Sequence, residues 1–112
     1  MVCDGEVASG IVAGVGNTVD GDYGFIGAGI NNSVIGFGSM IVGGGLFNCA
    51  CGDYGSIGGG CGNRICNGET YSTIAGGRAN CVDSDHSFIG GGYNNRNCAN
   101  CSAVVGGCGY GS

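Results

Sequence analysis

The sequence predicts an all-β protein, a β-solenoid or β-roll of about seven 15–16-residue rungs with two short strands in each rung. Three observations predict this fold. A Gly-rich segment recurs seven times at nearly constant spacing, a β-branched residue holds the same position in every copy, and a glycine follows it three residues later. Repeats of this kind are typical of solenoids, in which each coil packs only on its neighbours. Residues 1–112 are therefore interpreted as one domain.

The period of the repeat is read from the residue that ends each copy. It is asparagine in six copies and tyrosine in the last: Asn17, Asn32, Asn48, Asn63, Asn80, Asn95 and Tyr110. Seven rungs at the ~4.8 Å spacing of neighbouring strands would span roughly 34 Å. Asparagine bonds readily to nearby backbone, which favours a stacked Asn ladder. A row of amides that binds sugar is the alternative.

The strands are predicted from the β-branched column, because such residues fit a pleated strand. This column gives the predicted core: Ile11, Ile26, Val42, Ile57, Ile74, Ile89 and Val104. A second apolar column follows eight residues later, about half a period, so the two columns should face each other across the coil. Asn97 interrupts the second column.

The turns are predicted from glycine. One glycine column supplies the first turn, where positive φ is needed at little steric cost: Gly14, Gly29, Gly45, Gly60, Gly77, Gly92 and Gly107. The second turn is represented by VDGDYG at 19–24 and VDSDHS at 82–87. Helices are not expected, because glycine in a helix costs about 1 kcal/mol relative to alanine.

Composition excludes several classes of protein. The 29 glycines lack a three-residue period and proline is absent, which excludes collagen. Three basic residues against eight acidic ones predict no binding to nucleic acid. No apolar run approaches the ~18 residues of a membrane span. The N-terminus has no secretory signal pattern, so a virion or extracellular surface would be reached by another route or after cleavage from a longer precursor.

Self-association is predicted from the small number of core residues. About two sizeable side chains per rung offset little of the conformational entropy that folding removes. Phe25, Ile41 and Phe88 precede the core column by one residue and should point outward. An apolar outer face marks a subunit interface. We expect a homo-oligomer, either a trimer or a head-to-tail filament.

Two copies carry a family resemblance most clearly, YSTIAGGRAN at 71–80 and HSFIGGGYNN at 86–95, with weaker matches over residues 9–110. The pattern resembles the Gly/Ser/Asn repeats of phage tail-fibre and other virion-fibre proteins. It is also similar to the head repeats of trimeric autotransporter adhesins, the YadA-type left-handed β-roll. The resemblance implies a trimeric β-roll with a structural or adhesive role.

The nine cysteines leave three interpretations open. Their odd number excludes a closed set of disulfides within the chain. Cys51 and Cys66 each lie three residues after a marker in adjacent rungs, about 5 Å apart and within disulfide range, so they are a candidate pair. Cysteines that fill small apolar spaces, further disulfides within or between chains, and a metal site are all compatible with the pattern.

Other reactive residues give little sign of catalysis. An acidic column at the second turn, with Asp22, Asp53 and Asp85, is either solvated or a Ca²⁺ site. His86 is the only histidine, and a repeat column offers it no catalytic partner. The GGG segments lack the Lys-Ser/Thr of a phosphate-binding loop. No enzyme activity and no cofactor are predicted.

The leading hypothesis is a non-enzymatic structural protein, a self-associating β-solenoid subunit of a virion fibre, capsid decoration or surface filament. Its partners would be further copies of itself and other virion or surface proteins. The first alternative is an adhesin or receptor-binding module that contacts glycans. Ice binding is less favoured, because Thr18, Thr70 and Thr73 share no column.

Overall fold

The computed structural model describes residues 1–2, 7–43 and 45–109, and this part of the chain forms a β-solenoid without helices. It contains fifteen two-residue strands, numbered β1 to β15 in chain order, and all pairs between them are parallel. The predicted fold class is confirmed. The coil makes about six turns, close to the seven predicted. Its longest dimension is 37 Å, near the length expected from the repeat.

Two sheets form the body of the coil. The first sheet has seven strands, in the order β1 (Gly10–Ile11), β3 (Phe25–Ile26), β6 (Met40–Ile41), β9 (Ser56–Ile57), β11 (Thr73–Ile74), β13 (Phe88–Ile89) and β15 (Ala103–Val104). The second has six, β2 (Thr18–Val19), β5 (Ser33–Val34), β8 (Cys49–Ala50), β10 (Arg64–Ile65), β12 (Cys81–Val82) and β14 (Arg96–Asn97).

A third, thinner ladder runs along the first turn and was not predicted. It consists of β4 (Gly29–Ile30), β7 (Gly45–Leu46) and single-residue bridges in register with them. Its side chains lie outside the core: Val15, Ile30, Leu46, Cys61, Arg78, Tyr93 and Cys108. The ladder therefore adds backbone hydrogen bonds between rungs but no buried apolar side chains.

The core consists of the second residue of each strand in the two main sheets. Because side chains alternate across a strand, these residues point into the coil. The column of the first sheet contains Ile11, Ile26, Ile41, Ile57, Ile74, Ile89 and Val104, and that of the second contains Val19, Val34, Ala50, Ile65, Val82 and Asn97. All are fully buried except Val104, which is nearly so, and Ile11, which is partly buried against the core.

The third rung corrects two sequence predictions. Ile41, predicted at the interface, is fully buried, whereas Val42, predicted in the core, is 51% exposed. Ile41 pairs with Ile26, and Gly45 comes four positions after it, whereas in the other rungs the turn glycine comes three positions after the core residue. The extra residue lies in the turn. Aligning the repeat on its Gly and Asn positions moved this strand by one residue, which exchanges its inner and outer faces.

The turn glycines permit neighbouring rungs to approach closely. Six of them have positive φ, between +90° and +127°. A Cβ added at Gly45 would lie 2.0 Å from the carbonyl oxygen of Gly60. At Gly77 it would lie 2.3 Å from the carbonyl oxygen of Gly92. A side chain at either position is therefore incompatible with the stacking of the rungs.

A buried Asn ladder runs along the first turn. At Asn63, Oδ1 accepts the backbone N–H of Asn80 at 3.0 Å, and Nδ2 donates to the carbonyl oxygens of Gly59 and Gly77, each at 2.9 Å. The bond from each Asn N–H to the preceding Asn Oδ1 repeats from Asn32 to Asn95. The six marker side chains are at most 3% exposed. They hold the backbone and are not available to a sugar.

A Ser ladder has the same role at the second turn. Ser39 Oγ donates to the carbonyl oxygen of Gly52 at 2.7 Å, and Ser72 Oγ donates to that of Ser84 at 2.8 Å. Asn97 bonds to the second turn of the last rung. Its Oδ1 accepts the Ser102 hydroxyl at 2.6 Å, and its Nδ2 donates to the carbonyl oxygen of Ser102 at 3.1 Å. Among the described residues, no buried polar side-chain atom lacks a hydrogen-bond partner.

Candidate functional surfaces

The outer side of the first sheet is a surface without charge. It consists of the residues that flank each core residue of that sheet: Gly10, Val12, Phe25, Gly27, Met40, Val42, Ser56, Gly58, Thr73, Ala75, Phe88, Gly90, Ala103 and Val105. We call it the charge-free face. None of these fourteen positions is charged, and only Ser56 and Thr73 are polar. Because the strands are in register, the face is continuous along the coil axis.

Large apolar side chains on this face are exposed in the isolated chain. Phe25 is 37% exposed, Met40 40% and Phe88 39%. Small residues, among them Gly27, Gly58 and Gly90, lie between these large side chains. The surface of the face is therefore raised at the large residues and recessed at the small ones. The predicted interface residues Phe25 and Phe88 thus share one surface, and Met40 takes the outward position that the sequence had assigned to Ile41.

The outer side of the second sheet has a different character. We call it the cysteine-bearing face, and its flanking positions are Thr18, Asp20, Ser33, Ile35, Cys49, Cys51, Arg64, Cys66, Cys81, Asp83, Arg96 and Cys98. Arg96 and Asp83 lie in neighbouring rungs and form an exposed ion pair, in which Arg96 Nη2 and Asp83 Oδ2 are 2.6 Å apart. The two sides of the coil are therefore chemically distinct.

Aromatic rings stack along the second turn. The series runs Tyr23, Phe37, Tyr54, Tyr71 and His86, and successive ring centroids are 4.8–5.6 Å apart. The rings of Tyr54 and Tyr71 are nearly parallel, at 3°. We call this series the aromatic ladder. Tyr54, Tyr71 and His86 are stacked, whereas Phe37 meets Tyr23 and Tyr54 edge to face, at 73° and 72°. Both geometries are favourable for aromatic pairs, and the stacked ring faces are not open to a sugar.

The aromatic ladder stands on residues with left-handed backbone. Tyr23, Tyr54, Tyr71 and His86 have φ between +53° and +57°. Gly38 takes this position in the third rung, and the ring of Tyr54 lies over it, 3.0 Å from where a Cβ would be. His86 is thus a member of a structural column.

Another aromatic contact lies on the third ladder, where the Arg78 guanidinium is 5.7 Å from the centroid of the Tyr93 ring.

The acidic column caps backbone amides. Asp22 Oδ1 accepts the N–H of Val7 at 3.0 Å, and Asp53 Oδ1 accepts that of Phe37 at 2.8 Å. Asp85 Oδ1 accepts the N–H of Thr70 at 2.7 Å. Phe37 and Thr70 occupy the intervening rungs, so these carboxylates are two rungs apart. In the described part of the chain, no three His, Cys, Asp or Glu side chains are grouped so that they could hold a metal ion.

The Asp85 cap predicts a pH dependence. The backbone N–H of Thr70, followed by its hydroxyl, lowers the pKa of Asp85 below its ordinary value. The folded state therefore favours the carboxylate, and this stabilisation is lost as pH falls below the ordinary pKa and through the lowered one. We expect Asp85→Asn to be less stable than the wild type at pH 7 and equally stable near pH 2. Urea unfolding at both pH values measures this, and a constant difference between the two proteins would argue against the cap.

The cysteines are placed differently from the prediction. Cys51 is bonded to Cys49, with their Cα atoms 5.6 Å apart, so the predicted Cys51–Cys66 disulfide is wrong for this state. Cys66 Sγ instead lies 3.4 Å from Sγ of Cys81 in the next rung. The remaining free thiols of the described residues are Cys61, Cys98, Cys101 and Cys108. Cys3, like the last marker Tyr110, lies outside the described residues.

The surroundings of Cys66 raise the pKa of its thiol. Burial, then the hydrogen bond and charge of Cys81, and then the charge of Asp83 raise its pKa to about 12, while Arg64 acts in the opposite direction. The Cys66 thiol is therefore protonated at neutral pH.

Two further findings bear on function. No helix in the described residues is long and apolar enough to cross a membrane. Comparison of the sequence with protein-family models and with curated proteins found no match. The function is therefore inferred from the surfaces themselves.

Proposed function

We propose that the protein is a non-enzymatic structural subunit that packs side by side with further copies of itself through the charge-free face. The observation that carries the proposal is the absence of charge from all fourteen positions of a continuous face with exposed Phe25, Met40 and Phe88. Cores of protein interfaces are depleted of charged residues and enriched in aromatic residues and methionine.

The shape of the coil suits lateral packing. A face that continues along the whole coil is matched best by another coil with a parallel axis. The broad side of the molecule measures 37 × 22 Å, so a contact that extends beyond the charge-free face over a side of this size would reach the ~800 Å² that each partner of a stable complex buries. Association also adds the apolar burial that a rung with two core side chains lacks. A closed trimer satisfies these conditions and agrees with the fibre resemblance.

A rigid rod of repeats suits a fibre. Every rung is joined to the next by three backbone ladders and by the Asn or Ser side chains, which supports a stiff spacer or shaft. We therefore propose a virion fibre, capsid decoration or surface filament as the setting of the assembly. Head-to-tail stacking stays a prediction, because the last residues of the chain lie outside the described range.

A glycan-binding module is the second candidate. Exposed aromatic residues favour it, since Tyr23, Tyr71 and Tyr93 are each about half exposed. Stacking of Tyr54, Tyr71 and His86 covers ring faces in that part of the aromatic ladder, however, and the Asn row is buried. This candidate would be supported by sugar binding that is lost in Tyr71→Ala and kept in Met40→Glu.

Sedimentation equilibrium tests the proposed assembly. We expect a mass of at least twice the 10.9 kDa of one chain for the wild type and for Thr18→Glu, which adds the same charge to the cysteine-bearing face. Met40→Glu places an unpaired charge in the interface, which costs several kcal/mol, so the association constant should fall at least 100-fold. Circular dichroism checks that both variants are folded. Equal masses for the two variants would refute lateral packing through this face.

A further inference from the structure

We propose that Cys49, Cys51, Cys66 and Cys81 form a thiol–disulfide exchange site, in which the disulfide of one rung is passed to the two thiols of the following rungs. The site lies on the cysteine-bearing face, opposite the proposed interface. It is independent of the proposed assembly, so either can fail without the other.

Three placements support the proposal. A disulfide already joins Cys49 and Cys51. Ala50 pairs with Ile65, so Cys51 and Cys66, the residues that directly follow these two strands, are neighbours on adjacent rungs. The rung spacing of ~4.8 Å lies within the Cα separation that a disulfide requires. Finally, the sulfur atoms of Cys66 and Cys81 are already in contact at 3.4 Å.

The exchange is balanced without an external oxidant. Cys66 loses its proton, and its sulfur attacks Sγ of Cys51. The Cys51–Cys66 bond forms, the Cys49–Cys51 bond breaks, and Cys49 leaves as a thiolate that takes up a proton. Cys81 then loses its proton and its sulfur attacks Sγ of Cys66. The Cys66–Cys81 bond forms, the Cys51–Cys66 bond breaks, and Cys51 leaves as a thiolate that takes up a proton. One disulfide and two thiols are present before and after the exchange.

The environment of Cys66 makes this exchange slow at neutral pH. Only the thiolate attacks a disulfide, and the groups around Cys66 that affect its charge are Cys81, Asp83 and Arg64. Because its pKa is about 12, the thiolate fraction of Cys66 rises about tenfold for each pH unit between 7 and 11. The rate of exchange should rise in the same proportion.

Disulfide mapping by mass spectrometry tests the site. The probe is the full chain with Cys3, Cys61, Cys98, Cys101 and Cys108 replaced by serine, incubated without added thiol at pH 7, 8 and 9, quenched with acid and alkylated. If these replacements prevent folding, as judged by circular dichroism, the wild-type chain is mapped instead. We expect Cys66–Cys81 disulfide to accumulate, about tenfold faster at each higher pH.

Two variants identify the steps. Cys81→Ser should stop the exchange at the Cys51–Cys66 disulfide, and Cys66→Ser should leave only Cys49–Cys51, with Cys81 alkylated. If Cys49–Cys51 is the only disulfide in the unsubstituted site after incubation at pH 9, the proposal is wrong. Transfer to Cys81 in Cys66→Ser would also overturn it, because exchange would then bypass Cys66.

Discussion

Replacing Gly77 with alanine is expected to lower the free energy of unfolding by about 3–5 kcal/mol, enough to unfold a marginal domain. The new Cβ would lie 2.3 Å from the carbonyl oxygen of Gly92 and 2.6 Å from Nδ2 of Asn80. Its backbone would also keep φ at +90°, a strained conformation that costs ~1–3 kcal/mol outside glycine. The clash separates two rungs, which breaks the Asn ladder at that level.

The neighbouring glycine is the matched control for this prediction. A Cβ at Gly76 would meet no atom within 4 Å, and its φ is not among the positive values. Gly76→Ala should therefore change stability by less than about 1 kcal/mol, with a small gain possible because alanine restricts the unfolded chain. Urea unfolding of the two variants provides the measurement. Similar losses of stability at both positions would mean that the rungs do not stack as closely as described.

Replacing Asn63 with alanine is the second change with a large expected effect. The side chain is fully buried, and its loss leaves the buried N–H of Asn80 without its acceptor. The two bonds from Nδ2 to the carbonyl oxygens of Gly59 and Gly77 are also lost, although the Gly77 oxygen still accepts the N–H of Cys61. Each buried polar group left unsatisfied costs ~1–3 kcal/mol. We expect a loss of about 3–5 kcal/mol in the free energy of unfolding.

An exposed asparagine provides the control for the ladder. Asn67 lies in the longer second turn of its rung and is exposed. Asn67→Ala should change stability by less than about 0.5 kcal/mol, as is usual for surface substitutions. Thermal unfolding followed by circular dichroism compares the two variants. A loss below 1 kcal/mol for Asn63→Ala would show that the ladder contributes little to the coil.

The parts of the fold that sequence predicted well are those set by backbone stacking. A parallel solenoid places equivalent residues above one another, so an obligatory residue type becomes a column in the sequence. Asn63 and Gly77 belong to such columns, and their positions in the coil follow directly from the period. The inward direction of Ile57 and Ile74 follows from alternation along a strand.

The errors arose where the period changes within a rung. The extra residue between Ile41 and Gly45 left the Asn and Gly columns intact and moved only the strand, so Val42 took the place of Ile41 in the predicted core. The extra residue of this 16-residue copy could lie just before Gly45 or just after Asn32. A single sequence does not distinguish these two positions.

The cysteine contacts were missed for a different reason. The prediction considered residues in one column of adjacent rungs, and Cys66 and Cys81 lie on a diagonal between two columns. Diagonal neighbours on one face of a sheet are also within reach of each other. The ion pair between Arg96 and Asp83 joins the same two columns one rung further along the coil, so this diagonal direction recurs on the cysteine-bearing face.

Photo-crosslinking is the most direct test of the central claim, which is lateral self-association through the charge-free face. A photoreactive phenylalanine analogue at Met40 should crosslink one copy of the chain to another in high yield, with adducts on residues of the same face such as Phe25 and Val42. The same analogue at Thr18, on the opposite side of the coil, should give monomer only. Crosslinks of equal yield from both positions, or none from Met40 at concentrations where the protein is oligomeric, would contradict the claim.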